Sequence, residues 1–457
     1  MISSAENSPT YRLRTFLAGG TRQSLEIQEH LHVSQSTVSR LIAAMRQQVV
    51  VSGKRRGTRY ALRRDLRGMG SEFPVFRVNG NGDAEKIGVL WAIYPDRYLW
   101  EPTNGTPTQY PRLPWFLSSM RPEGFMGRAF SMQQYEALSL PPRLQDWRED
   151  HILISLALRG EDCMGNLIVG NEAIARYLHE PLGRSELVPQ NKAEEIYPRL
   201  AQAAMEGAPA GSSAQGEQPK FTVVHDCGNG TFRHFIVKFS PDISTEAGQR
   251  WADLLIGEHH ALTCINGRGV PASKSTLRFA GNRVFLEVER FDRVGQFGRL
   301  PIVSLGAVDD EFYGYRDSWP AAARRMLADA RLSSEHAGWL CWLSAFGDLI
   351  ANTDQHFGNV SLVMTDGDRR FDLAPAYDVL PMLYRPNEEK TLPEFNPREL
   401  SSIDAPMRES VIHWATLFWG QCAADDRISE NFRKICTTNL QKVTSLAVGP
   451  RLLGALK

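Results

Sequence analysis

The sequence predicts an α+β protein in which a small basic head precedes a larger, two-lobed body. Residues 1–70 contain 12 Lys and Arg against 4 Asp and Glu, which leaves 40 and 48 for residues 71–457. Strand-like segments lie between residues 220 and 290, and helix-forming segments lie at 334–351 and 403–457. We expect domains at 1–70, 71–210 and 211–457, the last divided into a small lobe (about 211–292) and a helical lobe (about 293–457).

The composition is that of an ordinary globular protein. The chain has 457 residues, of which 42% are hydrophobic and 23% charged, enough for two or more domains with apolar cores. No apolar run approaches the roughly 20 residues of a membrane span, and the first residues lack a signal-peptide pattern. The six cysteines are scattered without a Cys-x-x-Cys pair, which favours a cytoplasmic protein with free thiols.

The head has the pattern of a helix-turn-helix. A short helix begins at Leu25, a turn follows at residues 32–34, and a second helix starts at Ser34 or Ser36. A hairpin with a basic turn follows at residues 49–62, and residues 63–70 are expected to form a linker. The apolar positions suit two helices crossing over a small core: Ile27, Val33, Val38, Leu41 and Ile42.

This stretch resembles bacterial winged helix-turn-helix regulators, on the recognition-helix sequence VSQSTVSRLI. The resemblance predicts binding of duplex DNA, and a pseudopalindromic site would make the protein a homodimer. The open alternative is a docking module whose basic face contacts the acidic body. The predicted DNA contacts are Gln35, Ser36, Thr37 and Arg40 on the helix, and Lys54, Arg55, Arg56 and Arg59 on the wing.

Residues 71–210 predict an α+β docking subdomain and little else. Strands are expected at 73–80 and 86–91 and an apolar helix at 151–158. Residues 201–218 are rich in Gly, Ala, Ser and Gln, which marks a loop.

The clearest chemistry lies in the loop Asn352–Asn359. Asp354 and Asn359 are five positions apart, the spacing of the catalytic Asp and the magnesium-holding Asn in protein kinases. An apolar helix over 334–351 precedes the loop, and strands at 360–364 and 370–373 joined by Asp-Gly read as a hairpin. A hairpin brings its ends together, so Asn359 and Asp378 are expected to hold one Mg²⁺. The alternative is that these are ordinary turn-forming residues.

The expected small lobe offers a second kinase-like feature. Lys238 is the one charge in the buried-looking strand 235–239, and the helix over 246–262 offers Glu258. Together they would form the Lys–Glu pair that positions nucleotide phosphates in kinases. The alternative is a strand-edge Lys whose ammonium reaches water. The Gly/Ser-rich loop before residue 221 is either a phosphate-covering loop or a plain turn.

From about residue 72 the chain resembles the HipA family, the serine/threonine kinases of bacterial toxin–antitoxin systems. The motifs that carry the resemblance occur in order along the chain: RPEG (121–124), GEDCMG (160–165), QPK (218–220), VKF (237–239), VERFDR (288–293), DQHFGN (354–359) and PAYD (375–378). The implied fold is a HipA-like, two-lobed protein-kinase-like body behind the winged helix-turn-helix. The implied substrate is a translation factor or an aminoacyl-tRNA synthetase.

The resemblance implies a role for each matching residue. Asp354 would be the catalytic base, Asn359 and Asp378 the Mg²⁺ ligands, and Ser213 a site of autophosphorylation that switches the kinase off. Gly358 stands where the founding member has Lys. Family members usually borrow DNA binding from a separate antitoxin, so both an antitoxin partner and a chain that acts alone stay open. The ATP-binding residues would be Gly216, Gln218, Lys220, Lys238, Glu258, Glu289, Phe291 and His356.

The sequence therefore predicts a cytoplasmic or nucleoid-associated, ATP- and magnesium-dependent serine/threonine kinase with a DNA-binding head. One alternative is a nuclease in which Asp354, His356, Asn359 and Asp378 hold a hydrolytic metal. Another is a pseudokinase that regulates transcription and only senses ATP.

Overall fold

A computed structural model describes residues 8–53, 57–180, 186–206, 218–365, 369–387, 393–397 and 403–447. The chain forms two compact units. The first consists of residues 1–121, 137–141 and 145–183, and the second of residues 122–136, 142–144 and 184–457.

The helices are α1 (Pro9–Ala18), α2 (Ser24–Leu31), α3 (Gln35–Ala44), α4 (Trp115–Ser118), α5 (Gly124–Gln134), α6 (Glu149–Arg159), α7 (Asn171–His179), α8 (Ala193–Glu206), α9 (Glu246–Gly267), α10 (Leu305–Phe312), α11 (Trp319–Ala328), α12 (Ser334–Leu349), α13 (Ala405–Ala424) and α14 (Glu430–Ala447). The strands are β1 (Arg22–Gln23), β2 (Val49–Ser52), β3 (Arg59–Leu62), β4 (Glu72–Val78), β5 (Ala84–Ile93), β6 (Arg97–Pro102), β7 (Thr108–Tyr110), β8 (Leu167–Val169), β9 (Glu186–Pro189), β10 (Lys220–Asp226), β11 (Phe232–Phe239), β12 (Ser275–Ala280), β13 (Arg283–Glu289), β14 (Arg293–Val294), β15 (Gly298–Arg299), β16 (Ile302–Ser304), β17 (Ser361–Met364) and β18 (Phe371–Leu373).

The first unit begins with three helices and a small sheet of order β1-β3-β2. Ser34 caps α3 by accepting a hydrogen bond from the Thr37 amide, and His32 adopts a left-handed conformation that ends α2. The helix α1 was not among the sequence predictions, yet it completes the core. The buried residues there are Leu13, Leu17, Ile27, Leu31, Val38, Ile42, Met45, Val49 and Leu62, with Val33 and Leu41 partly buried beside them.

The rest of the first unit is an antiparallel sheet of order β7-β6-β5-β4-β8. Strands β4 and β5 match the strands predicted at 73–80 and 86–91, and α6 covers the predicted helix at 151–158. Val78, Ile168, Ala173 and Tyr177 pack together between this sheet and α7.

The small N-terminal sheet is joined to this larger sheet. Val50 and Ala61 pack with Trp91, Ile93 and Leu99 in one buried cluster. The backbone then continues the contact, because Arg63 bridges to Ile93 and the Arg64 amide donates to the Ala92 carbonyl at 2.9 Å. The start of the predicted linker is therefore fixed to the sheet.

The second unit holds a five-stranded sheet of order β12-β13-β11-β10-β9, in which β9 and β10 are parallel and the other neighbours antiparallel. Helix α8 covers one face, where Tyr197, Val223, Val237 and Phe285 are buried together. Helix α9 carries a long apolar surface, and Trp251, Leu254 and Leu255 are fully buried.

The helical part of the second unit is built from α10 to α14 around the small sheet β16-β17-β18. The predicted hairpin is present as the antiparallel pair β17–β18, and its Asp366–Gly367 turn lies outside the described residues. Helix α12 carries the buried Leu340, Trp342 and Phe346. Within the described ranges, no helix has both the length and the apolar character needed to cross a membrane.

Replacing Arg64 by Ala should lower the stability of the first unit. Arg64 is 8% exposed, and its guanidinium forms a two-pronged ion pair with Asp150, which also accepts a hydrogen bond from the Tyr98 hydroxyl. Removing the guanidinium leaves a half-buried carboxylate without its cation, which costs about 1–3 kcal/mol. The midpoint of urea unfolding, followed by tryptophan fluorescence on the full-length chain, measures this loss.

The loss should depend on pH in a defined direction. Burial would raise the pKa of Asp150, but hydrogen bonds from Arg64 and Tyr98 lower it. The ion pair therefore contributes above the ordinary Asp pKa and is lost as pH falls through the lower, folded-state pKa. Arg77→Ala is the control, because Arg77 pairs with Glu85 on the same sheet while both side chains are more than half exposed. Equal effects of the two variants would contradict the prediction.

Candidate active site

The second unit contains a buried ion pair between a strand and a helix. Lys238 lies on β11 and its Nζ donates to Oε1 and Oε2 of Glu258 on α9, at 2.5 and 2.7 Å. The Lys238 side chain is 3% exposed and that of Glu258 is fully buried. The sequence left open whether Lys238 reaches water, and the structure places it in the interior beside Glu258.

Asp378 is the third member of this cluster. Its Oδ1 accepts a hydrogen bond from Lys238 Nζ. Asp378 lies after β18, and its backbone is left-handed with φ 54°, which is uncommon outside glycine but tolerated by Asp. The segment is held by the Ser273 amide, which donates to the Ala376 carbonyl at 2.9 Å. The Lys238–Glu258–Asp378 triad thus joins the sheet and α9 to the segment that follows the hairpin.

The triad carries more negative than positive charge. Burial raises the pKa of Glu258, and Lys238 opposes that rise. Burial would also raise the pKa of Asp378, but the charges of Lys238 and Lys220 lower it. Burial disfavours the Lys238 ammonium, yet Asp378 and Glu258 together raise its pKa. With both carboxylates ionised, one ammonium faces two anions, so the site favours an additional cation.

Lys220 brings a further positive charge close to the triad. It lies directly opposite Lys238 in the antiparallel register of β10 and β11, and opposed residues project from the same face of a sheet. Its influence on the pKa values of both Glu258 and Asp378 indicates that its ammonium lies near them.

The loop after α12 holds the second group of predicted residues. Asn352 is buried, and its Oδ1 accepts a hydrogen bond from the Asp354 amide at 3.1 Å. Asn359 Nδ2 donates to the Asp354 carbonyl at 2.8 Å and lies 3.5 Å from Asp354 Oδ2. The Asp354 carboxylate is partly exposed, so the loop presents a carboxylate to solvent while Asn359 fixes its backbone.

Two aromatic side chains hold this loop in place. Trp319 Nε1 donates to the His356 carbonyl at 3.3 Å. The Tyr377 hydroxyl donates to the Gly358 carbonyl at 2.9 Å and lies 2.8 Å from Ser361 Oγ. Burial raises the pKa of Tyr377, which keeps its hydroxyl a donor. The sequence analysis gave neither residue a role, because a tryptophan or tyrosine that supports a loop from a distant segment has no local signature.

The oxygen donors present fit a magnesium ion. The Asn359 amide oxygen and the Asp378 carboxylate are hard ligands of the kind that Mg²⁺ prefers, and the negative excess of the triad favours a cation. Among the described residues, no cluster of three or more His, Cys, Asp or Glu side chains could hold a metal by itself. A magnesium ion here would therefore need phosphate oxygens and water as further ligands.

The structure shows the surroundings of three residues that the sequence analysis expected to contact the nucleotide. Arg233 donates to both carboxylate oxygens of Glu289 at 3.0 and 2.6 Å, and these bonds lower the pKa of Glu289. Its carboxylate therefore takes part in an ion pair, and its backbone amide donates to the Lys274 carbonyl at 2.8 Å. The Phe291 ring lies 5.6 Å from the Tyr377 ring. Gln218 has a buried Nε2 without a hydrogen-bond partner in the part of the chain that is described.

Gly358 lies close to the imidazole of His356. His356 is exposed, and its Nδ1 accepts a hydrogen bond from the Gly358 amide at 3.0 Å. A Cβ at position 358 would lie 2.9 Å from His356 Cε1 and Nδ1. Any side chain there requires His356 to move, so Gly358 and this imidazole position belong together. Gly216 and Ser213 lie outside the described residues.

The predicted DNA contacts on α3 are on its outer surface. Gln35, Ser36 and Arg40 are exposed and Thr37 is half-buried, and Arg40 Nη2 donates to Thr37 Oγ1 at 3.2 Å. Arg59 is exposed on β3. Lys54, Arg55 and Arg56 lie outside the described residues.

The fold and site together define a class. A five-stranded, mostly antiparallel sheet and the helix α9 share a buried Lys–Glu pair. The helical part carries an Asp…Asn loop with a further Asp beyond a hairpin, which is the arrangement of kinase-like proteins. Comparison with known proteins identifies the family within this class. Residues 212–443 match the family described as "HipA-like C-terminal domain", and residues 69–178 match "YjjJ-like toxin, middle domain".

Relatives agree with these matches. The chain is 36% identical over 442 residues to Toxin YjjJ of Escherichia coli (strain K12), covering 95% of this chain and 97% of the relative. The chain therefore belongs to the HipA-like toxin family, which confirms the resemblance to HipA seen in the sequence. The kinase activity and the DNA-binding head stay predictions.

The fold is also seen in a solved structure. A chain of the Shewanella oneidensis MR-1 toxin–antitoxin complex of HipA, HipB and operator DNA is similar with a TM-score of 0.50 and 18% identity, covering 82% of this chain and 96% of its own. The Helicobacter pylori proinflammatory kinase CtkA has a TM-score of 0.36 and 12% identity, covering 50% of this chain and 89% of its own.

Replacing Lys238 by Met should destabilise the second unit strongly. The variant leaves Glu258 fully buried without its cation, and breaking a buried pair in this way costs about 3–5 kcal/mol. Adding Glu258→Leu should restore much of the loss, because it removes the orphaned charge. Thermal unfolding of the full-length single and double variants measures both effects. A double variant less stable than Lys238→Met would contradict this account of the triad.

Proposed function

We propose that the chain is an ATP- and magnesium-dependent serine/threonine kinase of HipA type with a DNA-binding head. The observation that carries the proposal is the Lys238–Glu258–Asp378 triad in the same unit as the Asp354–Asn359 loop. In kinases, groups of these types orient the nucleotide phosphates, hold magnesium and accept the substrate proton.

Each residue has a defined task in this proposal. Glu258 holds the Lys238 ammonium in position, so that it meets the nucleotide phosphates without further ordering. Asn359 and Asp378 would hold magnesium, which when bound neutralises charge on the phosphates. Asp354 accepts the proton of the acceptor hydroxyl. Gln218 and Lys220 would contact phosphates, and Phe291 and the Glu289 backbone would flank the adenine.

Replacing Asp354 or Asp378 by Ala should remove phosphoryl transfer while the chain stays folded. Loss of a general base lowers the rate by about 10²–10⁴, and loss of Asp378 removes a magnesium ligand. The assay is incubation with γ-labelled ATP and magnesium, followed by mapping of phosphorylated residues. Asp372→Ala is the control, because Asp372 is a half-exposed carboxylate on β18. Transfer at the wild-type rate in both soluble active-site variants would overturn the kinase assignment.

Two further assays separate the alternatives. A nuclease would nick plasmid DNA with a divalent metal in the absence of ATP. A pseudokinase would bind ATP without transferring its phosphate.

We also propose Ser213 as the site of autophosphorylation, where a phosphate would add about −1.5 to −2 charge close to the bound triphosphate. Phosphopeptide mapping of Ser213→Ala beside Ser212→Ala tests that assignment.

The proposed DNA-binding head is a winged helix-turn-helix in which α3 is the recognition helix. The exposure of Gln35, Ser36 and Arg40 on α3 supports it, as does the antiparallel pair β2–β3 that leads into the basic turn. Part of the head's positive charge is used inside the first unit, since Arg64 pairs with Asp150 and Arg63 lies over the Trp91 ring. Lys54, Arg55 and Arg56 lie outside the described residues, and we propose them as phosphate contacts on the strength of their charge.

Neutralising Lys54, Arg55 and Arg56 should weaken binding of the full-length chain to every duplex by a similar factor. Each phosphate contact that is lost should lower the log–log salt slope by about 0.9. Arg40→Ala should instead relax sequence preference at particular base pairs. Fluorescence anisotropy across a salt series measures both, with the exposed Lys86 on β5 replaced by Ala as control. Absence of duplex binding at low salt would contradict the DNA-binding assignment.

The partners follow the same proposal. The Shewanella complex contains HipB and operator DNA beside HipA, which supports an antitoxin and DNA as partners here. A homodimer on half-sites about one helical turn apart is proposed for a pseudopalindromic operator. The protein substrate would be a translation factor or an aminoacyl-tRNA synthetase, reached in the cytoplasm or at the nucleoid.

A further inference from the structure

The first residue of α11 is a buried tryptophan that reaches the Asp354–Asn359 loop. Trp319 is 4% exposed, and its Nε1 donates to the His356 carbonyl at 3.3 Å. The His356 side chain is exposed, so burial of that side chain does not fix the main chain at this position. The main chain there depends instead on the hydrogen bonds that the carbonyl accepts.

The His356 carbonyl serves two donors. Besides the Trp319 indole, it accepts a hydrogen bond from the Asn359 amide at 3.0 Å, across the short 3₁₀ turn Phe357–Asn359. Asn359 in turn donates through Nδ2 to the Asp354 carbonyl at 2.8 Å. A continuous series of hydrogen bonds thus connects the indole to the backbone of Asp354.

The Asp354 carboxylate depends on this backbone for its direction. Its contacts with Asn359 Nδ2 and His356 Nε2 are long, at 3.5 and 3.8 Å, and contacts of that length orient a carboxylate weakly. Asp354 also lines a cavity of about 720 Å³ with three further acidic residues in its wall: Asp317, Asp348 and Glu394. Open space therefore lies beside Asp354, and its main chain has to provide the alignment.

The helix end that carries Trp319 is itself fixed. Arg325 donates to both carboxylate oxygens of Asp317 at 2.8 and 2.9 Å, and to Asp309 on α10 at 3.0 Å. Asp309 is 1% exposed. The bonds from Arg325 lower the pKa of Asp317, so Asp317 stays ionised and the two-pronged pair persists at neutral pH. The indole therefore approaches the loop from an ordered helix end.

We propose that Trp319 is a positioning residue for phosphoryl transfer. The inference rests on the proposed function, in which Asp354 accepts the hydroxyl proton and Asn359 is a magnesium ligand. The indole N–H acts through the His356 carbonyl and sets the main-chain geometry of both residues before a substrate arrives. Such preorganisation matters because a misplacement of about 1 Å can cost about 10²-fold in rate.

The experiment has to separate the indole N–H from the bulk of the ring, which fills space in the interior. Replacing Trp319 by β-(3-benzothienyl)alanine puts sulfur in place of the N–H and keeps the shape of the side chain. Trp342 on α12 is the matched control, because it is 2% exposed and its Nε1 donates to Ser410 Oγ at 3.2 Å. If the unnatural residue gives no folded chain, Trp319→Phe beside Trp342→Phe makes the same comparison.

The first readout is autophosphorylation of the full-length chain with γ-labelled ATP and magnesium. For the Trp319 variant we expect the maximal rate to fall about tenfold through misalignment of the loop. The half-saturating ATP concentration should stay unchanged, because the proposed nucleotide contacts Lys238, Glu289 and Phe291 lie outside this series of hydrogen bonds. The Trp342 variant should keep both values, and the two variants should unfold at similar temperatures.

The second readout does not use activity. Hydrogen exchange of the peptide 352–360, followed by mass spectrometry without nucleotide, should be about fivefold faster in the Trp319 variant, because the loop has lost one hydrogen bond. The Trp342 variant should exchange this peptide at the wild-type rate.

The outcomes separate this inference from the proposed function. An unchanged maximal rate, unchanged exchange, or equal effects at Trp319 and Trp342 overturns the positioning role and leaves the kinase in place. Absence of transfer by the wild-type chain overturns the proposed function and the positioning role with it. A lower rate together with faster exchange, both confined to the Trp319 variant, supports the inference.

Discussion

The second unit depends on the way one buried ammonium is compensated. Lys238 lies in the middle of the five-stranded sheet and is almost fully buried, so its charge must meet anions in the protein. Those anions come from α9 and from the segment after β18, which are Glu258 and Asp378. A single side chain thus ties the sheet, the long helix and the end of the hairpin to one point. The ammonium group of Lys220, on the neighbouring strand, adds positive charge near the two carboxylates.

A second requirement explains why the Asp354–Asn359 loop is held in place by a hydrogen bond from Tyr377. Asn359 and Asp378 must lie close to one another if they are to hold one ion, yet they belong to segments on either side of the hairpin β17–β18. Tyr377, next to Asp378 in the chain, hydrogen-bonds to the Gly358 carbonyl next to Asn359. This bond links the two segments directly.

Local patterns were enough to predict the strands, the helices and the hairpin that form this site. A lone Lys in an apolar strand, an Asp–Asn spacing and a Glu on the next helix each have a physical meaning in the sequence itself. The contacts made by Trp319, Tyr377 and Arg233 had no such signal, since each joins residues far apart in the chain. For the same reason, α1 and the attachment of residues 63–64 to β5 were not predicted. The ion pair between Glu289 and Arg233 was likewise seen only in the structure.

The Asp354 loop lies in the same unit as two groups of charged residues. On one side, Lys238 and Lys220 lie next to each other on adjacent strands, where the triphosphate would bind. On the other side, the cavity that Asp354 lines is acidic in its described lining. Arg325 pairs with Asp317 and Lys442 pairs with Glu394. Two of the four carboxylates in that lining therefore have a cation beside them already, which limits their repulsion of a nearby triphosphate.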